Sequence, residues 1–203
     1  MTTNRKWEEF ALLLIDVQND FWSKEVAEAF PDFPRNTARL LNLCRAEGID
    51  VLHVRARFKP DRSDWMARYK LLDSIPCISG TPGPEVLPEA RELPGEAVIY
   101  KQSYDSFCNP EVETWLRDRR KRYVLVAGLV TAVCVLLTGA AAAQRGFLVA
   151  VVEDCCADQP KSHGLVFDRY PNVMERVKVD QISTRLPAWK KQLADLAAVG
   201  VHA

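Results

Sequence analysis

YVLVAGLVTAVCVLLTGAAAAQRG, residues 123–146, runs from an apolar strand (Tyr123 to Ala127) through Gly128 into a helix of small residues, with Cys134 at the junction. A thiol at a helix start faces the positive end of the peptide dipoles, which predicts a lowered pKa and a nucleophilic thiolate. Upstream, two further apolar runs end on reactive groups: ALLLID ends on Asp16 and AVIYK ends on Lys101. Parallel strands in one sheet would bring this carboxylate, ammonium and thiol to the same edge, where doubly wound sheets bind their ligands.

The rest of the chain keeps the same rhythm. Strand candidates are Ala11–Asp16, Asp50–Arg55, Ala97–Lys101, Arg122–Ala127, Leu148–Glu153 and, more weakly, Val177–Val179. Their consecutive Val, Leu and Ile suit strands covered on both faces, as in a parallel sheet. Helix candidates are Pro34–Glu47, Pro110–Arg120, Ala132–Arg145, Ser162–Tyr170 and Ser183–Val199, with Asn109 as a helix cap before Pro110. The alternation predicts an α/β fold: a three-layer, doubly wound, mainly parallel six-stranded sheet of Rossmann-like form, in one domain over residues 1–203. Residues 58–96 break the rhythm with repeated Pro and Gly and read as a long structured excursion over the strand ends.

Composition narrows the function classes. Lys plus Arg and Asp plus Glu both number 27, so nothing favours nucleic acid or an anionic membrane as a partner. No secretory signal or bilayer-length apolar segment is legible, which points to a cytoplasmic protein. The cysteines at 44, 77, 108, 134, 155 and 156 lack a regular framework and read as reduced thiols. Adjacent Cys155 and Cys156 give little support to a metal or redox site. The basic run RDRRKR (117–122) reads as a solvated helix end.

At the residues already singled out, the sequence resembles the isochorismatase-like cysteine hydrolases, which include nicotinamidases and carbamoyl and ureido amidohydrolases. LLLIDVQNDF (12–21) is similar to the family's first-strand signature, GTPGPEVLP (80–88) to its GTxG segment and VIYKQSYDSF (98–107) to its lysine segment. GLVTAVCV (128–135) resembles the cysteine segment and LVAVVEDCCAD (148–158) the strand after it. The resemblance covers roughly residues 10–175. It implies Asp16, Lys101 and Cys134 as a catalytic triad, and a cis peptide between Leu129 and Val130 that aims the amides of Val130 and Cys134 at an oxyanion. It also implies a homo-oligomer, dimer or tetramer.

Substrate contacts are expected from Phe21, Trp22, Tyr104 and Gln18, with Phe58, Trp65 and Phe107 as further wall candidates. Gln18 could equally brace its loop. Arg55 and Arg57 could read an acidic substrate or face solvent. Nicotinamidases bind a metal through an Asp-x-His pair and a later His. Here Asp61 and Asp64 lack that partner and the histidines are 53, 163 and 202, so neither metal nor other cofactor is expected. His53 and His163 read as structural. The function expected is metal-independent cleavage of a C–N bond in a small amide, ureide or carbamoyl compound. The alternatives are an isochorismatase-type vinyl-ether hydrolase and a non-catalytic interaction protein.

Overall fold

The computed structural model describes residues 6–200; His202 lies outside them. The strands are β1 (Phe10–Ile15), β2 (Asp50–Ala56), β3 (Ala97–Lys101), β4 (Tyr123–Leu129), β5 (Leu148–Ala157) and β6 (Glu175–Val177). They form one six-stranded sheet in the order β3-β2-β1-β4-β5-β6, and every neighbouring pair is parallel. The helices are α1 (Lys24–Ala29), α2 (Phe33–Glu47), α3 (Ala67–Leu72), α4 (Pro110–Asp118), α5 (Leu136–Gln144), α6 (Pro160–Arg169) and α7 (Ile182–Ala198).

The unbroken apolar run of β1 is explained by its place. It pairs with β2 on one side and β4 on the other, and all six of its residues are buried. Alternate side chains serve opposite layers. Leu12 and Leu14 join a core with Leu40 and Leu41 of α2 and Trp189 of α7. Ala11, Leu13 and Ile15 join another with Val112 and Leu116 of α4 and Ala142 of α5. Burying a side chain of Val or Leu size contributes about 1.5–3 kcal/mol, so these two layers hold the sheet rigid beneath the site.

The observed elements extend several sequence expectations. β5 runs to Ala157, beyond the expected Glu153, whereas β6 lies earlier than the expected Val177–Val179 and shares only Val177 with it. The expected helix 132–145 begins instead as a wide π turn over Thr131–Val135, with α5 following. Helices α1 and α3 were not legible as periodic patterns. α1 is capped by Ser23, whose hydroxyl accepts from the Val26 amide at 3.3 Å. Asn109 caps α4 through the Glu111 amide at 3.0 Å. The basic run is not simply solvated: Lys121 is buried, donates to the Glu8 carbonyl at 2.7 Å and pairs with Asp50 at 2.7 Å. Together with the Arg122–Glu9 pair it ties the start of β4 to the segment before β1.

Gly128 is the tightest backbone constraint near the site. It faces Ile15 in register, adopts φ +128°, and a Cβ there would lie 1.9 Å from the Ile15 carbonyl oxygen. Gly128→Ala is expected to lower stability by roughly 2–4 kcal/mol, read as a lower urea midpoint; an unchanged midpoint would contradict this account.

Candidate active site

The site begins where β1 stops. Asp16 takes φ 51°, a left-handed conformation that Asp tolerates better than most side chains. Its amide still bonds to the Val54 carbonyl at 2.8 Å, which anchors the turn to β2. Lys101 ends β3, two strands away, and between them the small Ala56 of β2 pairs in register with Lys101. The Lys101 ammonium reaches across to Asp16 Oδ2 at 2.7 Å. It also donates to the Ser103 carbonyl at 2.7 Å and to Cys134 Sγ at 3.6 Å. An ammonium has three hydrogens, and each of these acceptors takes one.

Cys134 arrives from β4 through a cis peptide at Leu129–Val130 and the π turn. The turn is held from outside. The Ala132 amide donates to Asp158 Oδ2 at 2.7 Å, and Thr131 Oγ1 bonds with His163 Nδ1 at 2.9 Å. His163 packs between Phe30 and Phe167, and burial lowers its pKa. The Thr131–His163 contact braces the turn rather than touching the reactive groups.

The structure thus brings Asp16, Lys101 and Cys134 together, almost wholly removed from solvent at 0%, 1% and 4% exposure. Burial raises the Asp16 pKa against the pull of Lys101. Burial also penalises the Lys101 ammonium, but Asp16 and Cys134 outweigh it and the net shift is upward. The expected lowering of the Cys134 pKa is overturned: burial first, and then the Asp16 carboxylate, push the thiol up, and Lys101 offsets them only in part. The dipole of one turn does not compete with loss of water around a charge. Burial thus favours the protonated form of the sulfur, which lies beside the Asp16 carboxylate.

Above Cys134 lies a cavity of about 460 Å³. Lys101, Cys134 and Val130 border its floor, and Phe21, Phe58, Met66, Tyr69, Tyr104 and Leu137 are among its walls. Two of the expected substrate contacts are corrected. Gln18 is fully buried and braces the loop: its side chain bonds to both the amide and the carbonyl of Ala56, at 2.9 Å each, and to the Pro84 carbonyl at 2.9 Å. Trp22 stacks on Phe33, with ring centres 4.9 Å apart, and is not among the residues that border the cavity. Trp65 and Phe107 are core residues. Arg55 pairs with Glu92 and Arg57 lies over Tyr100; both border a different groove.

An isochorismatase domain model matches residues 10–172. The chain belongs to the isochorismatase family. It is 30% identical over 149 residues to the family protein YddQ of Bacillus subtilis, covering 72% of this chain and 77% of the relative. It is 32% identical over 162 residues to a nicotinamidase/pyrazinamidase of Mycobacterium tuberculosis, covering 72% and 86%. The crystal structure of an isochorismatase family protein from Desulfovibrio vulgaris superposes with a TM-score of 0.80 at 30% identity, covering 88% of this chain and 98% of that one.

Within this isochorismatase-family hydrolase, the matched motifs acquire physical meaning. VQND after β1 and GTPGP at 80–84 clasp each other. Asn19 donates to the Pro82 carbonyl at 3.0 Å, and Asp20 Oδ2 accepts from the Cys77 amide at 2.6 Å. A Cβ on Gly83 would strike the Asp20 carboxylate at 1.9 Å. The residues do not fit a nicotinamidase-type metal. Asp61 is turned onto Ser63 of its own loop and Asp64 onto the Lys59 amide, and among the described residues no group of three or more His, Cys, Asp or Glu is placed to hold an ion. Tyr69 and Met66 were missed because they lie in the proline-rich excursion, where no periodic signal marks a wall.

Charge removal should separate reactivity from turnover. Asp16→Asn is expected to lower the Cys134 pKa and Lys101→Met to raise it, read from the pH dependence of iodoacetamide alkylation at Cys134 by mass spectrometry. Shifts of the opposite sign would refute the assigned couplings.

Proposed function

We propose that this hydrolase is a metal-independent cysteine amidohydrolase, cleaving the C–N bond of a small amide, ureide or carbamoyl compound through a thioester acyl-enzyme. The observation that carries the reading is the buried contact of Lys101 with both Asp16 and Cys134 on the floor of a ligand-sized cavity. The likeness to a nicotinamidase/pyrazinamidase supports an amide as the electrophile.

In the proposed reaction Asp16 takes the Cys134 proton as sulfur attacks the carbonyl carbon. The amides of Val130 and Cys134 receive the developing oxyanion, each well-aimed donor contributing about 3 kcal/mol. The tetrahedral adduct collapses as the C–N bond breaks, and the Asp16 proton passes to the departing nitrogen. Water then adds to the thioester carbonyl, giving its proton to Asp16. The C–S bond breaks, the acid leaves, and sulfur recovers its proton. Lys101 remains charged throughout. It holds Asp16 in place and opposes the negative charge on sulfur.

Cys134→Ala is expected to abolish ammonia release from an amide panel while leaving the folded circular dichroism spectrum intact. Asp16→Asn should cost at least about 100-fold in kcat/KM; retention of a tenth of wild-type activity by either variant would refute its role. The base must be ionised, and the Asp16 pKa is raised. Activity should therefore fall as pH drops through a value above the ordinary carboxylate range. An acid limb at or below that range in the kcat/KM profile would contradict Asp16 as the base.

A further inference from the structure

The cavity over Cys134 is chemically one-sided. Phe21, Phe58, Met66, Pro76, Val133 and Leu137 present apolar surface to it. Among the described residues that border it, the one charged group is Lys101, which already spends its hydrogens on Asp16, the Ser103 carbonyl and Cys134. The two guanidiniums that flank the lining residue Ala56 are engaged elsewhere, Arg55 with Glu92 and Arg57 with the face and hydroxyl of Tyr100. The other polar side chains that border it are the Cys134 thiol, Ser103, Tyr69 and Tyr104, none of them a cation. The two tyrosine rings meet edge-on, with centres 6.1 Å apart, and a neutral phenolic hydroxyl can bond a carbonyl or amide but carries no charge to neutralise a carboxylate.

We propose that, within the amidohydrolase reading on which this inference rests, the substrate is an uncharged amide with an apolar acyl group, aromatic or branched aliphatic. A carboxylate beside the reacting carbonyl, as in carbamoyl amino acids and ureido acids, would enter this cavity unpaired, and an unpaired buried charge is strongly disfavoured. The walls therefore select against part of the amide class that the fold could otherwise serve. They also favour turnover. For an amide RCONH2, attack by Cys134 forms the C–S bond and breaks C–N with release of ammonia. Water then breaks C–S, and the acid formed ionises to a carboxylate for which the cavity has no free counter-ion. The product is thus disfavoured by the same surface that admits the substrate.

Selectivity and chemistry separate in the test. Binding of 3-methylbutanamide and of malonamate, which replaces its isopropyl group with a carboxylate, is measured by calorimetry on the Cys134→Ala variant, where no turnover intervenes. Malonamate should bind at least about 50-fold more weakly. In Cys134→Ala carrying also Leu137→Arg, the ratio should narrow by about tenfold or more, through tighter malonamate binding. Leu137 is 41% exposed on α5, so the fold tolerates the longer side chain. Equal binding of the two probes, no saturable binding of 3-methylbutanamide, or a ratio unmoved by Leu137→Arg would each overturn the inference. Wild-type protein that binds 3-methylbutanamide selectively yet hydrolyses no amide would instead sink the amidohydrolase reading and leave the charge filter standing.

Discussion

The ion pair between Lys101 and Asp16, 2.7 Å long and closed to solvent, is the constraint on which the site depends. Taking two charges out of water costs several kcal/mol per ion unless geometry and further hydrogen bonds compensate. Here the compensation is specific. Lys101 has an acceptor for each of its hydrogens, whereas the two Asp16 oxygens, with their several lone pairs, have Lys101 as their one cationic partner and the Cys134 thiol beside them. The ammonium is thus saturated and the carboxylate is not. That asymmetry leaves Asp16 as the group with proton-accepting capacity to spare, next to a thiol whose proton burial retains.

Holding that pair in register requires three strand ends to keep their places, and the surrounding structure supplies the restraint. The left-handed turn at Asp16 is anchored to β2, and the close approach of Gly128 fixes β4 against β1. Asp158 and His163 hold the π turn from the far side. Gln18 ties the end of β2 to the proline-rich excursion, so the loop that forms much of the cavity is fastened to the same strand edge as the reactive groups. The floor of the site and one of its walls are thus fastened to the same strand edge.

The sheet and its reactive edge were legible in the sequence because they rest on strong, local signals. Strands buried on both faces must be apolar at consecutive positions, and Asp16 and Lys101 stand out where two such runs end. The family resemblance was legible for the same cause: its motifs are the turns that clasp those strand ends. What sequence reading could not resolve was set by tertiary surroundings. The thiol pKa follows from burial, which no local pattern reports. Gln18 and Trp22 sit beside a catalytic candidate in sequence but turn toward the scaffold, whereas Tyr69 and Met66 come from a stretch without periodicity and turn toward the cavity. Helix α3 buries none of its own residues, so it carries no amphipathic stripe to read.

The sheet order has a consequence for how the chain is made. β1 is synthesised before the other five strands yet occupies an interior position, between β2 and β4. Its β2 edge can pair early, but its other edge stays open until Tyr123–Leu129 has been synthesised. A nascent chain therefore carries a fully apolar strand with an unpaired edge until β4 has been made, the kind of surface that aggregates or recruits chaperones. The segment that ends on Asp16 is thus the one most in need of shelter during biosynthesis.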